Sequence, residues 1–357
     1  MAGERIELTA EMLAKRESRA KKRAEQQTPE ALALAEAKAE AETAAKRDAR
    51  RQRDVEDAAA LQAWAIRDRH EVVAPLVDIG ANLVKLRGRS SLDEQLQRCA
   101  LTGVTRVLVT GTSVSTSRSA LELVRAAAES SSSAMQLFCT AGVHPHDAKS
   151  CDESTLELLG ELLDAPECVA VGECGLDYDR MFSPRDVQLR WFDLQARLAV
   201  ARGKPLFLHE RDLDPSKGEA LGSHGDLLRV LEAAGVAPER ACVHCFTSSA
   251  AHLRDYAERG FRIGLTGFVA MQERGAHVRA ALRDGALPLS QLMLETDAPF
   301  MKPDKEWLPD VKVIKRGQCE PCVVPAVAYA VAECLGVPAE EVARVTTANA
   351  RAFFGLT

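Results

Sequence analysis

A (β/α)8 TIM barrel is the fold the sequence predicts for residues 72–357, and three observations carry that expectation. Eight short apolar runs recur between Pro75 and Asp297. None shows the alternating pattern of a half-exposed strand, which suits strands covered on both faces. Helix-compatible pieces separate the runs, so strand and helix alternate over roughly 280 residues, the span such a barrel needs.

Residues 1–71 come first and follow a different grammar. They are built from Ala, Glu, Lys, Arg and Gln, with a single Pro and a single Gly before position 71. Such a segment has high helix propensity and little to bury. It is expected to be a charged helical or partly disordered extension whose removal leaves the barrel intact. No sustained heptad suggests a coiled coil. The basic cluster Lys15-Arg16 to Lys21-Lys22-Arg23 makes the arm a candidate contact with another macromolecule or a nuclear signal.

The runs then follow in order: PLVDIG, TRVLVTG, LFCTAG, CVAVGE, PLFLHE, ACVHCF, FRIGLTG and LMLETD. Between them lie segments such as SLDEQLQRCALTG, RWFDLQARLAVARG and HLRDYAERG. A doubly wound open sheet would need a glycine-rich phosphate turn after the first strand, and IGANL does not supply one.

Composition narrows the function. Charged residues make up 27% of the chain, and no run of about 18 apolar residues could span a bilayer. The formal net charge of −6 offers nucleic acid no general attraction. A polyanionic substrate would have to be held by bound cations and a local basic patch. The N-terminus lacks the apolar region of a secretory signal, and its Glu residues argue against a transit peptide. Ten cysteines without such a signal suggest reduced thiols in the cytoplasm or nucleus. The Cys319–Cys322 pair has no partner pair at zinc-finger spacing, so packed thiols are the expectation there.

Catalytic groups of such barrels project from the carboxyl ends of the strands. Glu173 closes the fourth run, His209 the fifth, His244 lies in the sixth and Asp297 closes the eighth. Separations of one or two βα units put all four into one mouth. Carboxylates and imidazoles are what a divalent cation binds, so these four are the predicted metal ligands. A lone strand-end histidine is more often a core residue, but four such residues in phase with the repeat are not. His144 and His146 follow the third run, Asp177 and Arg180 the fourth, and Arg211 and Asp212 the fifth. The two histidines could contact substrate, support the ligands or cap a loop. Arg211 could bind a phosphate or carboxylate, or pair with Asp212 or Asp177.

The stretches LVDIGANL, GVHPHDAK, VAVGECGLDYDR, PLFLHERD, VHCFTSS, IGLTGFV, LMLETDAP and TTANARAFFGL resemble the TatD family of metal-dependent deoxyribonucleases. The resemblance spans about residues 76–357. It implies a TIM barrel, a divalent metal and hydrolysis of DNA, often exonucleolytic from the 3′ end. Its metal ligands fall on Glu173, His209, His244 and Asp297. The expected substrate is DNA, single-stranded or with frayed ends, and the expected protein is a monomer without membrane association. The main alternative is hydrolysis of an amide, ester or aminoacyl bond on the same barrel.

The sequence departs from the family at several points. Many relatives carry two histidines after the first strand, where this chain has Gly80 and Asn82. Their absence should favour Mg²⁺ or Mn²⁺ over Zn²⁺, and restoring them should tighten metal binding. Asn82 becomes a candidate substrate or ligand-supporting contact. The family's HCRD reads His209-Glu210-Arg211-Asp212, its RNEP reads Gln318-Cys319-Glu320-Pro321, and DPSKGEALGSHG looks like an enlarged rim loop. Asp297 is expected to handle the proton of the attacking water, and Glu173 chiefly to hold metal.

Overall fold

The computed structural model describes residues 14–15, 17–19, 21, 29–65, 75–85, 91–129, 135–213 and 217–356. Eight parallel strands pair in sequence order: β1 (Leu76–Ala81), β2 (Val104–Val109), β3 (Gln136–Ala141), β4 (Cys168–Asp177), β5 (Leu206–Arg211), β6 (Ala241–Val243), β7 (Arg262–Leu265) and β8 (Leu292–Leu294). The ring closes where β8 runs out. Asp297 N donates to Gly80 O at 2.8 Å, Asn82 N donates to Ala298 O at 2.7 Å, and Ala81 bridges Ala298. The expected TIM barrel is therefore the observed fold.

Helices cover the strands outside: α2 (Leu92–Leu101), α3 (Val114–Glu129), α4 (Thr155–Leu163), α5 (Arg185–Arg202), α6 (Ser223–Ala233), α7 (Ala250–Arg259), α8 (Ala276–Arg283), the short α9 (Lys312–Arg316), α10 (Val324–Leu335) and α11 (Ala339–Phe354). Local sequence sets their ends. Ser91 and Glu94 form a reciprocal cap at the start of α2, and left-handed Gly203 ends α5. Among the described residues, no single helix is long and apolar enough to cross a membrane.

Strand parity positions the site. Phe207 of β5, Cys242 of β6 and Met293 of β8 belong to the apolar filling of the barrel, packed with Val77, Ile79, Phe353 and Phe354. Two residues further along each strand direction, on the same face, come His209, His244 and Glu295. The barrel is therefore apolar below and polar at its carboxyl-end mouth. Phe207 is the floor of that mouth, its ring 4.4 Å from the His244 ring and 6.3 Å from that of Phe354.

Strand four is longer than the run CVAVGE suggests. It continues past Glu173 to Asp177, which is the strand's last residue rather than the loop after it. The register with β5 shifts between Val171 and Cys174. Gly172 (φ 141°) and Gly175 (φ 139°) permit that shift, because a Cβ at either would strike the backbone oxygen of Phe207 or His209.

The compact unit that contains the barrel begins at Ala60 and takes in the last turn of a 37-residue helix, α1 (Pro29–Ala65). Leu61, Trp64 and Ala65 are buried, Trp64 Nε1 donates to Trp307 O at 3.1 Å, and Tyr329 Oη donates to Ala65 O at 2.7 Å. So the extension is not uniformly dispensable: Leu61, Trp64 and Ala65 belong to the barrel core. The preceding residues 36–56 are exposed, with pairs such as Arg50–Asp54 on one helix face. The domain boundary expected at 71/72 lies outside the described residues, as do Arg16, Lys22 and Arg23 of the basic cluster and residues 214–216 of the rim loop.

Candidate active site

One cavity of about 290 Å³ opens at the mouth, and every candidate residue except Asp212 lines it. Glu173, His209, His244 and Asp297 form its depth. His144, His146 and Asp177 stand beside Glu173, Asn82 beside Asp297, and Arg211 at the rim.

Glu173 is the hub. Its Oε1 lies 2.7 Å from His244 Nε2, 3.0 Å from His209 Nδ1 and 3.3 Å from His144 Nε2. Burial alone would raise this carboxyl, but His244 and His144 outweigh it and hold Glu173 well below the usual carboxylate range. Burial likewise works against a charged His209, yet Asp177 and Glu173 raise it to about 9. His209 Nε2 is buried without a hydrogen-bond partner, 3.4 Å from Asp177 Oδ2.

The two remaining histidines of the depth differ in what faces their ring nitrogens. His244 Nδ1 faces Glu295 Oε2 at 3.3 Å, and Glu295 Oε1 also accepts from Cys245 N at 2.5 Å. His244 Nε2 faces Glu173, and although burial opposes it the two carboxylates raise His244 well above the ordinary histidine value, so Nε2 must lose its proton before it can hold a cation. A carboxylate on Nδ1 is the arrangement that orients metal-binding histidines. His144 is the reverse case. Its Nδ1 accepts from His146 N at 3.1 Å, so a neutral ring carries its proton on Nε2, toward Glu173. Burial keeps that ring neutral, lowering it to about 4. His144, Glu173 and His209 form the one grouping of three metal-ligating side chains with converging atoms among the described residues. The tautomer nevertheless makes His144 a hydrogen-bond donor to that group rather than a ligand.

Asp177 is pinned by Asp179 N and Arg180 N on one oxygen and by His146 Nε2, at 2.7 Å, on the other. Although burial opposes it, His146 and His209 hold its carboxyl far below the usual range. Asp297 has φ 51° and receives a hydrogen bond from Asn82 Nδ2 at 2.9 Å. Burial raises it to about 7 despite His244 beside it, and Glu173 and Glu295 add to the rise. All four non-glycine residues of positive φ among those described sit at this mouth or its loops: Met181, Cys245, Asp297 and Met301. Backbone cost concentrated in this way is a mark of functional loops.

Arg211 pairs with neither acid expected for it. Its Nη2 lies 2.7 Å from Asp179 Oδ2, and Lys217 Nζ lies 2.5 Å from the other Asp179 oxygen. Asp212 is occupied instead by the backbone N–H groups of Leu213, Leu221, Gly222 and Ser223, tying the rim loop to α6.

Two buried acids escaped the sequence reading. Glu295 positions His244, and Asp78 accepts from Thr296 N at 3.0 Å and Thr296 Oγ1 at 2.6 Å, bracing the residue before Asp297. Burial raises Asp78 to about 8. The available signal was an acid inside an otherwise apolar run, LVDIG and LMLETD. The structure also reverses the expectation for position 80. A Cβ on Gly80 would run into Glu295 Oε2 and the edge of the Phe207 ring, so a histidine there has to displace the carboxylate that positions His244.

The mouth fits a divalent cation. Carboxylates of Glu173, Asp177 and Asp297 converge in it, His209 Nε2 is orphaned, and the donors are oxygen and nitrogen.

Comparison with known proteins agrees with this geometry. A family described as TatD related DNase matches residues 77–355. The "3′-5′ ssDNA/RNA exonuclease TatD" of Erwinia amylovora is 34% identical over 282 residues, covering 79% of this chain and all of that protein. The protein of the same name from Dickeya dadantii is 36% identical over 281 residues, covering 78% of this chain and 97% of that one. Among solved structures, YJJV, a TatD homologue from Escherichia coli, superposes with a TM-score of 0.66 at 25% identity, covering 80% of this chain and all of that one. A TatD family hydrolase from Entamoeba histolytica gives 0.68 at 23% identity over the same shares, a likeness of fold.

Proposed function

Because this chain belongs to the TatD related DNase family, we propose that it is a metal-dependent nuclease that hydrolyses phosphodiester bonds of DNA from the 3′ end, on single strands or frayed ends. The observation that supports this most directly is the Glu173 carboxylate, facing His209 and His244 at the centre of a mouth rich in buried acids. The relatives named for that activity match over nearly their whole length.

Glu173, His209, His244 and Asp297 would hold the cation, with Mg²⁺ or Mn²⁺ favoured because Gly80 and Asn82 add no imidazole. When bound, it supplies positive charge against the phosphate oxygens and makes water more acidic. The side chains do the rest. Asp297, raised to about 7, accepts the proton of the attacking water near neutral pH, and Asn82 holds the carboxylate in one orientation. Glu295 fixes the His244 tautomer. Arg180 presents donors to the phosphate, His144 Nε2–H holds Glu173, and His146 keeps Asp177 in place.

The test is digestion of end-labelled single-stranded DNA beside a panel of amides, carboxylic esters and an aminoacyl ester. Shortening from the 3′ end that requires Mg²⁺ or Mn²⁺ is expected. Cleavage of the panel with intact DNA would sink the proposal.

A further inference from the structure

Phenylalanines exposed at a polar mouth call for a reason, because burial elsewhere would stabilise the fold. Phe182 is 53% exposed and Phe300 is 54% exposed. Phe182 follows β4 and stands edge-on to His146, with ring centroids 4.7 Å apart. Phe300 follows β8, lines the cavity, and is held by a hydrogen bond from its N–H to Asp297 O at 2.9 Å.

Their places in the ring relate them. With eight strands in sequence order and the end of β8 bridged to β1, β4 and β8 lie across the barrel from one another. The two rings therefore rise from opposite walls, with the Glu173 centre between them. Each also neighbours a residue in the left-handed region, Met181 (φ 49°) and Met301 (φ 45°). The chain accepts a backbone cost beside both exposed rings. Lys85 and Arg180 on the same lining supply positive charge.

We propose that Phe182 and Phe300 are stacking platforms for the unpaired nucleobases on either side of the phosphate held at the centre. This rests on the nuclease reading above. Every base offers a π-face, so such platforms hold a strand without regard to sequence. Bases in a duplex are already stacked on their neighbours, so the platforms select single-stranded or frayed ends. Flanking cations counter the phosphates, which the net acidic chain otherwise repels.

The test compares an oligothymidylate with an equally long oligomer of abasic tetrahydrofuran spacers, both cleaved by the full chain in Mn²⁺. Wild type is expected to prefer the thymidylate. Phe182→Ala and Phe300→Ala should each reduce that preference in kcat/KM by about tenfold, mostly through KM. Phe182→Trp and Phe300→Trp should restore it, with indole fluorescence quenched as the thymidylate binds. Alanine variants that keep the wild-type preference, or a wild type that cleaves both oligomers equally well, overturn the inference alone. A wild type that cleaves neither overturns the nuclease reading together with it.

Discussion

Where β3, β4, β5 and β6 end at the mouth, buried carboxylates face imidazoles; where β8 meets β1, they crowd one another. Glu173 and Asp177 are held below the ordinary carboxylate range by the histidines around them. Asp297 and Asp78 are lifted, to about 7 and about 8, because burial outweighs the few donors they have. One barrel end therefore carries acids that stay charged beside acids that exchange protons near neutral pH. In the proposed mechanism, that contrast divides labour between binding a cation and moving a proton.

The largest expected effect concerns both halves at once. Chelation with EDTA should abolish hydrolysis, and Mg²⁺ or Mn²⁺ should restore it; activity that survives exhaustive chelation would show that the charged half holds no essential cation. Binding itself should depend on pH. His209, raised to about 9, must shed its proton to ligate, so affinity should rise with pH below that value. The slope should approach about tenfold per pH unit for each proton displaced. Calorimetry in buffers of differing ionisation enthalpy would detect the released proton, and a flat profile would count against His209 as a ligand.

Next come variants that separate the halves. Asp297→Asn keeps shape and the contact with Asn82 but cannot accept the proton, so turnover should fall at least about a hundredfold while metal affinity changes little. Glu173→Gln should instead weaken metal binding, with part of its activity returning at high metal concentration. Equal rescue of both by excess Mn²⁺ would erase the distinction. Glu295→Gln should cost less, about tenfold, since it acts through the orientation of His244. A Glu295→Gln enzyme with unchanged metal affinity and rate would deny it that role.

Much of this was legible in the sequence, for reasons specific residues show. Strands buried on both faces produce unbroken apolar runs, so the eight-fold repeat was visible. The ends of those runs, spaced by one or two βα units, then exposed Glu173, His209, His244 and Asp297 as the ligand positions. What the sequence hid was three-dimensional. Glu295 looked like strand residue rather than His244's partner, because the pair is 51 positions apart. The space around Gly80 is filled by that same carboxylate, so the expected gain from histidine at 80 becomes a clash. Arg211 found Asp179 rather than a nearer-looking acid because β4 runs on to Asp177 and carries the following turn past the rim.

The smallest expected effect lies outside the mouth, and it divides the N-terminal helix itself. Residues 36–56 are exposed, and their ion pairs are of the kind that contribute a few tenths of a kcal/mol at most. Leu61 and Trp64 are different: both are buried, and the indole N–H is satisfied by Trp307 O. Removing residues 1–59 should therefore leave the melting temperature and the rate on single-stranded DNA unchanged. Trp64→Ala in the full chain should lower stability by about 3 kcal/mol, through a lost aromatic side chain and the carbonyl it leaves unpaired. The mouth is built by other elements, so kcat at a temperature below the melting transition should hold. Thermal denaturation of the truncation and the point variant side by side decides the matter. A truncated chain that melts as early as Trp64→Ala would show that the exposed part of the helix supports the barrel after all.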